Sequence, residues 1–163
     1  MLQEPYPIWS AVRPEIRKAI EVDIPVLLDL AQEGIDQCGV PETPVDREYL
    51  TIAWRAVIAS PDKTWHAVVD SEGVPVGYSH GFLGGQWHVA KPMTFLSTMY
   101  IKPEHRSIQV FDRLIDDFVD WSRSVNAEAV WSCLTNSMGG PVLDRLWRRK
   151  GFHPAGQMYE RYV

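Results

Sequence analysis

Cysteine, basic charge and long apolar stretches are all scarce in this sequence. It has 2 cysteines among 163 residues, and Cys38 and Cys133 lie too far apart for the short paired spacing of a zinc site or redox motif. The simplest interpretation is that both are reduced thiols in a cytosolic protein. Histidines and carboxylates do not cluster in the sequence either, so we expect no metal.

The charge balance and the lack of apolar runs exclude two classes of partner. A net charge of -5 argues against nucleic acid, since phosphate binding needs a basic face. No apolar run approaches the roughly 18 residues of a membrane span, and the N-terminus lacks a basic region followed by an apolar core. We therefore expect a cytoplasmic protein with neither nucleic acid nor a membrane as partner.

The residues that are present indicate one globular domain, 15–163, behind a proline-rich arm, 1–14. With 45% hydrophobic and 23% charged residues the composition is that of an ordinary soluble globule. The arm reads "MLQEPYPIWSAVRP", and its prolines exclude a helix. Tyr6, Ile8 and Trp9 are too apolar for a solvated tail. Two interpretations stay open: the arm packs on its own domain, or it docks on a second subunit of a homodimer.

Hydrophobic spacing predicts the element order β-α-α-β-β-β-α-β-α-β. Helices interleave with strands, and a hairpin around Gly73 is antiparallel, so the fold class is α/β with a mixed sheet flanked by helices. The second helix is predicted to begin near Thr43, as its cap, and Pro44. The third is predicted to begin near Arg106, with an apolar stripe formed by Phe111, Leu114, Ile115, Phe118 and Val125.

The stretch "IKPEHRSIQVFDRL", residues 101–114, has the outline of an anion site. A strand breaks at Pro103, passes the cationic corner of His105 and Arg106, and enters an amphipathic helix. The first amides of a helix point free N–H groups outward, and the helix dipole attracts anions there. No glycine lies where phosphate loops usually carry one.

Four segments in this order resemble the GNAT acetyltransferases. They are "IRKAIEVDIPVLLDLA", "GVPVGYSHGFL", "MYIKPEHRSIQVFDRLIDDFVDWSR" and "LTNSMGGPVLDRLWRRKGFHPAGQMYERYV". The resemblance covers about residues 15–163, and the spacing of "YIKPEHR", "WSR" and "KGFHPAGQMYERYV" is most similar to GNAT proteins encoded by phages. It implies the GNAT fold, acetyl-CoA as cosubstrate, and an amine of a protein or small molecule as acceptor.

The resemblance also implies a cofactor-binding set. The family motif R-x-x-G-x-G/A aligns with Arg106, Ser107, Ile108, Gln109, Val110 and Phe111. Gln109 and Phe111 fill the two small positions, but a side chain does not remove a backbone N–H, so we expect a weakened pyrophosphate site. Arg106 is equally readable as a solvated charge and Phe111 as a core residue. The backbone of Met99, Tyr100 and Ile101 would pair with the pantetheine arm, and Asn136 would contact the cofactor or serve as a turn residue.

The largest departure from the family is Trp147, which lies where a tyrosine commonly protonates the departing thiolate. An indole N–H donates hydrogen bonds but is not a proton source near neutral pH, so Tyr100, Ser137 or Tyr159 are the candidate substitutes. For the base we favour His80 over His66 and His88, because histidine titrates near physiological pH. The competing interpretation of His80 is a half-buried strand residue without catalytic duty.

Two functions follow from the resemblance. The first is an acetyl-CoA-dependent N-acetyltransferase in the cytoplasm, that of the host if a phage encodes it. The alternative is a GNAT-fold binding or virion-associated protein with little or no turnover, which Gln109, Phe111 and Trp147 favour.

Overall fold

The computed structural model describes residues 14–38, 44–86, 89–132 and 140–155. Its strands and helices, in chain order, are β1 Glu15–Lys18, α1 Ile24–Cys38, α2 Arg47–Ile58, β2 Thr64–Ser71, β3 Val74–Gln86, β4 Val89–Ile101, α3 Ile108–Ser124, β5 Ala129–Ser132 and α4 Gly140–Arg149. Short 3-10 turns precede α1 and α3. Residues 1–13 of the arm, Thr43 and the predicted final strand lie outside the described residues.

The five described strands form one mixed sheet in the order β1-β2-β3-β4-β5. The first four strands pair antiparallel and β5 joins β4 parallel, so the predicted mixed α/β sheet is confirmed. The turn between β2 and β3 contains Gly73 at φ 85°, a left-handed conformation that glycine adopts without cost. None of the described helices is long and apolar enough to cross a membrane.

Each face of the sheet has its own buried cluster. On one face α1 and α2 pack over strand residues Val68, Tyr78 and Tyr100. On the other, α3 and α4 pack over apolar side chains that include Ala67, Leu96 and Ile101. The strands alternate their side chains between the two faces, and burial of this apolar surface is the main stabilising term.

Two helix starts differ from the sequence prediction. The second helix begins at Arg47, because the Asp46 carboxylate accepts a hydrogen bond from the Tyr49 amide at 2.9 Å and caps it. Pro44 lies before this cap and outside the helix. The third helix begins at Ile108, capped by Ser107; it thus starts just beyond the predicted Arg106.

The buried stripe of α3 is also rotated relative to the prediction. Leu114, Ile115 and Phe118 are buried as expected, but Val110 and Ser122 complete the stripe. Phe111 and Val125 are only half-buried, although Phe111 does pack against the core of that face. Ser122 is accommodated because its hydroxyl hydrogen-bonds with Thr94 of β4 at 2.7 Å.

His66 is buried among aromatic rings between β2 and α2. It is 6% exposed, and neither of its ring nitrogens has a hydrogen-bond partner within the described part of the chain. Its ring lies 5.4 Å from that of Trp54 and 5.5 Å from that of His80. Burial, with a smaller effect of His80, lowers the pKa of His66 to about 3, against the attraction of Asp23.

Gly81 is predicted to be required by the packing of α3. A Cβ at this position would lie 2.3 Å from Cε2 of Phe118 and 2.9 Å from the backbone oxygen of Phe95. We expect Gly81→Ala to lower the free energy of unfolding by about 1–3 kcal/mol through overpacking. Gly85→Ala is the matched control, since its Cβ would approach nothing nearer than the Lys91 oxygen at 3.7 Å. Urea denaturation measures both, and equal stabilities would contradict the packing.

His66 is predicted to make the fold sensitive to acid. The unfolded chain takes up a proton at this histidine near pH 6.5, whereas the folded chain does so only near pH 3. Between these values unfolding binds a proton, so stability falls as the pH is lowered, by up to about 1.4 kcal/mol per pH unit. His66→Phe should show a smaller fall in unfolding free energy between pH 7 and 4.

The control for this acid effect is His153→Gln, which changes an exposed histidine and should follow the native pH dependence. A His66→Phe variant that loses as much stability on acidification as the native protein would contradict the assignment.

Candidate active site

Strand β4 is paired along its whole length on one side and only partly on the other. The Lys102 amide donates to the Val76 oxygen at 2.9 Å, so the backbone of Lys102 faces β3. Neighbouring residues of a strand direct their backbone groups to opposite sides, so Ile101 and Met99 face away from β3. On that side the described pairing with β5 covers only Met93–Leu96. Beyond Leu96, no described strand takes up the backbone groups of β4.

A β-bulge marks the point where this open side begins. His80 pairs with Thr98 and Gly81 with Leu96, which leaves Ser97 as the extra residue of β4. The Ser97 hydroxyl donates to the His80 oxygen at 3.1 Å and holds the bulge to β3. A bulge bends the strand and redirects the residues that follow it. No sequence signal identified Ser97, because a bulge depends on the register of two strands.

The N-terminus of α3 lies just beyond the end of β4. The Ser107 hydroxyl accepts from the Val110 amide at 3.2 Å, and the Ser107 oxygen accepts from the Phe111 amide at 3.2 Å. The amides of Ile108 and Gln109 are the first two of the helix and have no acceptor within it. Gln109 is exposed to solvent, and Phe111 packs against the core. Within the described part of the chain, two amides and the positive end of the helix dipole thus remain available to an anion.

Arg106 lies beside these amides, but its side chain is held by other partners. Its Nε donates to the Ile101 oxygen at 2.7 Å and its Nη2 to Oε1 of Gln37 at 2.6 Å. The guanidinium carbon lies 5.7 Å from the centre of the Tyr100 ring. Two donors of the half-buried Arg106 guanidinium are therefore used within the protein.

His80 lies on β3, across from the bulge in β4. Its side chain is on the face of the sheet that α1 and α2 cover. Burial lowers the pKa of His80, and a hydrogen bond to the backbone of Trp65 partly offsets this effect. Its Nδ1 is buried without a partner among the described residues. The lowered pKa keeps the imidazole neutral at neutral pH, and a neutral imidazole has one nitrogen that accepts hydrogen bonds.

A row of aromatic rings continues from His80 across the same face. His80 lies 6.5 Å from Phe82, Phe82 lies 5.2 Å from Phe95 in a stacked arrangement, and Phe95 lies 6.2 Å from Trp131. A Cβ on Gly84 would come within 3.1 Å of the Phe95 ring, so the glycine leaves these rings room. No sequence pattern predicted this row, because its residues come from three different strands.

Tyr100 and Trp147, the other two predicted catalytic residues, lie on opposite faces of the sheet. Tyr100 is buried under α1, where its hydroxyl donates to Glu33 at 3.2 Å. Burial, together with Glu33, raises the pKa of Tyr100 to about 12, so the hydroxyl stays protonated at neutral pH. Trp147 belongs to the α3 and α4 side, half-buried with its ring 4.7 Å from that of Phe152.

Several predicted residues lie outside the described part of the chain. They are His88, Cys133, Asn136, Ser137 and Tyr159. Within the described ranges, no group of three or more histidine, cysteine or acidic side chains could hold a metal ion.

The solved structures that are similar to this one include acetyltransferases. A predicted acetyltransferase from Clostridium acetobutylicum, with acetyl-CoA, is 16% identical, with 91% of this chain and 96% of that chain covered and a TM-score of 0.74. An aminoglycoside acetyltransferase from an uncultured soil metagenomic sample, in complex with sisomicin, is also 16% identical, with 93% and 95% covered and a TM-score of 0.68. At these identities the likeness shows the fold.

An integron cassette protein from the mobile metagenome of Cole Harbour Salt Marsh is 18% identical, with 91% of this chain and 89% of that chain covered and a TM-score of 0.72. Among curated proteins, none matches the chain by sequence. The profile of the Acetyltransferase (GNAT) family, in contrast, matches residues 28–152. That span contains β4 with its bulge, the start of α3, and α4. The chain is therefore a member of the GNAT family of acetyltransferases.

Proposed function

We propose that this protein is an acetyl-CoA-dependent N-acetyltransferase. The observation that carries the proposal is the open side of β4, which runs from the bulge at Ser97 to the free amides at the start of α3. A strand edge with unpaired backbone groups binds an extended chain by main-chain hydrogen bonds. The family membership supports acetyl transfer in general, and the amine acceptor is our inference.

The described residues fit this cosubstrate. Met99 and Ile101 offer backbone groups to a pantetheine amide, although the Ile101 oxygen is already bonded to Arg106. The amides of Ile108 and Gln109 are suited to a pyrophosphate. Gln109 is exposed and Phe111 packs against the core, so neither replacement of a family glycine has to displace the phosphates. Asn136 stays a proposed contact.

The proposed chemistry distributes three tasks among this chain's residues. Acetyl-CoA, when bound, supplies a thioester whose carbonyl carbon forms the new bond to the amine while its bond to sulfur breaks. The Met99 amide, directed to the open side of β4, can donate to the carbonyl oxygen as negative charge develops there. His80 can take the proton that the amine releases. The ring row beside His80 gives the acceptor an apolar surface.

Among the described residues, the Tyr100 hydroxyl already donates to Glu33, and the other candidate donors for the departing thiolate, Ser137 and Tyr159, lie outside them. Trp147 occupies the position of the family tyrosine on the face opposite His80, and its indole cannot supply a proton. A thiol of pKa about 8.5 does not strictly require an acid. We infer a slow enzyme. The second candidate, a GNAT-fold binding protein without turnover, is favoured by Trp147 itself.

The origin of the protein and its cellular compartment are a further part of the proposal. The spacing of "YIKPEHR" and "KGFHPAGQMYERYV" supports a relationship with phage-encoded GNAT proteins, and two distant cysteines support a reducing compartment such as the cytoplasm. For the arm, 1–14, the two interpretations are packing on its own domain and contact with a second subunit of a homodimer.

Removing one amide from the start of α3 should weaken CoA binding. Ile108→Pro deletes the first N–H, and proline is tolerated at the first helical position after a residue as extended as Ser107, at φ -147° and ψ 156°. Isothermal titration should show a dissociation constant raised by about tenfold, the loss expected for a bond to a charged group. Ile108→Ala keeps the N–H and is the matched control. Equal affinities in the two variants would exclude the amide site.

Restoring an acid at position 147 should raise turnover. General acid catalysis contributes about 10²–10⁴-fold, so Trp147→Tyr should increase the rate of acetyl transfer and change CoA affinity little. The assay follows free-thiol release and amide formation over a panel of amines and lysine peptides, with Trp147→Phe as control for the loss of the indole. CoA binding without turnover in every variant would point to an acceptor missing from the panel. Neither CoA binding nor thiol release would refute the enzyme and support the binding-protein alternative.

A further inference from the structure

A chain of polar contacts connects α1 to the residue that precedes α3. Gln37, near the end of α1, accepts from Arg106 Nη2 through its Oε1 at 2.6 Å and donates through its Nε2 to the Tyr100 hydroxyl at 2.9 Å. The Tyr100 hydroxyl donates in turn to Glu33 at 3.2 Å, and Glu33 pairs with Lys102 at 3.2 Å. This series of contacts therefore starts and ends in the segment that joins β4 to α3.

The position of Tyr100 in this chain is fixed by packing. It is 3% exposed, and α1 lies so close that a Cβ on Gly34 would come 3.1 Å from Cδ2 of the Tyr100 ring. Its hydroxyl has one donor partner and one acceptor partner, Gln37 and Glu33, which satisfies both capacities. Tyr100 is thus a rigid support to which the Gln37 amide is attached.

Arg106 depends on this support because its own location is a turn. The residue lies between the 3-10 turn Pro103–His105 and the cap of α3. Its Nε bond to the Ile101 oxygen closes the turn onto the end of β4. Gln37 holds the far end of the same guanidinium, so the arginine is fixed at both ends.

We propose that Gln37 is a positioning residue for the cofactor site. It acts through Arg106, which fixes the turn and so the direction in which the amides of Ile108 and Gln109 point. The inference rests on the proposed function, since it assigns the anion at these amides to CoA. This proposal gives Arg106 the role of shaping the turn. In the alternative role, Arg106 would release its bond to Gln37 and its own guanidinium would bind the phosphates directly.

A double-mutant cycle on CoA affinity distinguishes these roles. Gln37→Met keeps the length of the side chain and removes both hydrogen bonds, and Arg106→Ala removes the guanidinium. Each single variant should raise the dissociation constant for CoA by about three- to tenfold, the worth of one such bond. The double variant should be no weaker than Arg106→Ala alone, because residues that act as one unit are non-additive.

Two measurements guard against a general loss of structure. Thermal unfolding of Gln37→Met should stay close to that of the native protein, because Gln37 is exposed, and Gln37→Ala provides a second variant. Asp36→Asn, on the same turn of α1, is the control: its carboxylate accepts from Gln32, and CoA affinity should be unchanged.

The proposal is overturned if Gln37→Met binds CoA as tightly as the native protein or more tightly. It is also overturned if the loss of CoA affinity caused by Gln37→Met adds fully to the loss caused by Arg106→Ala. Native protein that does not bind CoA would refute the proposed function and this inference with it. If the native protein binds CoA and Gln37→Met does not change the affinity, only the inference about Gln37 is refuted.

Discussion

The site depends on the unequal pairing of one strand. A central strand with partners on both sides has no backbone groups to offer, whereas an unpaired edge is available to another chain or a ligand. Beyond Leu96, β4 retains β3 and is not paired with any strand of the described part of the chain. The bulge at Ser97 occurs at this transition, so one strand provides the core of the sheet and one wall of the site.

Two of the residues predicted to be catalytic lie on opposite faces of the sheet. His80 and the aromatic rings lie on the face of α1 and α2, and Trp147 lies on the face of α3 and α4. The sheet therefore separates Trp147 from the surroundings of His80.

The order and type of the elements could be predicted because the hydrophobic periods are long and regular. The observed starts of α2 and α3 lie after the predicted ones, because a helix start is decided by a local capping hydrogen bond. Asp46 and Ser107 make these bonds, whereas the sequence pattern favoured Thr43 and the turn at Arg106. The aligned motif 106–111 spans the observed start of α3. It did not reveal that the Val110 and Phe111 amides already have acceptors.

The sequence alone determined the helix dipole, the alternation of the strands and the lack of an acidic side chain at position 147, because these properties depend on residue type and spacing. The tertiary structure decided which backbone groups stay unpaired, how deeply His80 is buried, and that Arg106 bonds to Gln37 and Ile101. Those outcomes depend on strand register and on contacts between residues far apart in the chain. A linear sequence contains no direct record of either.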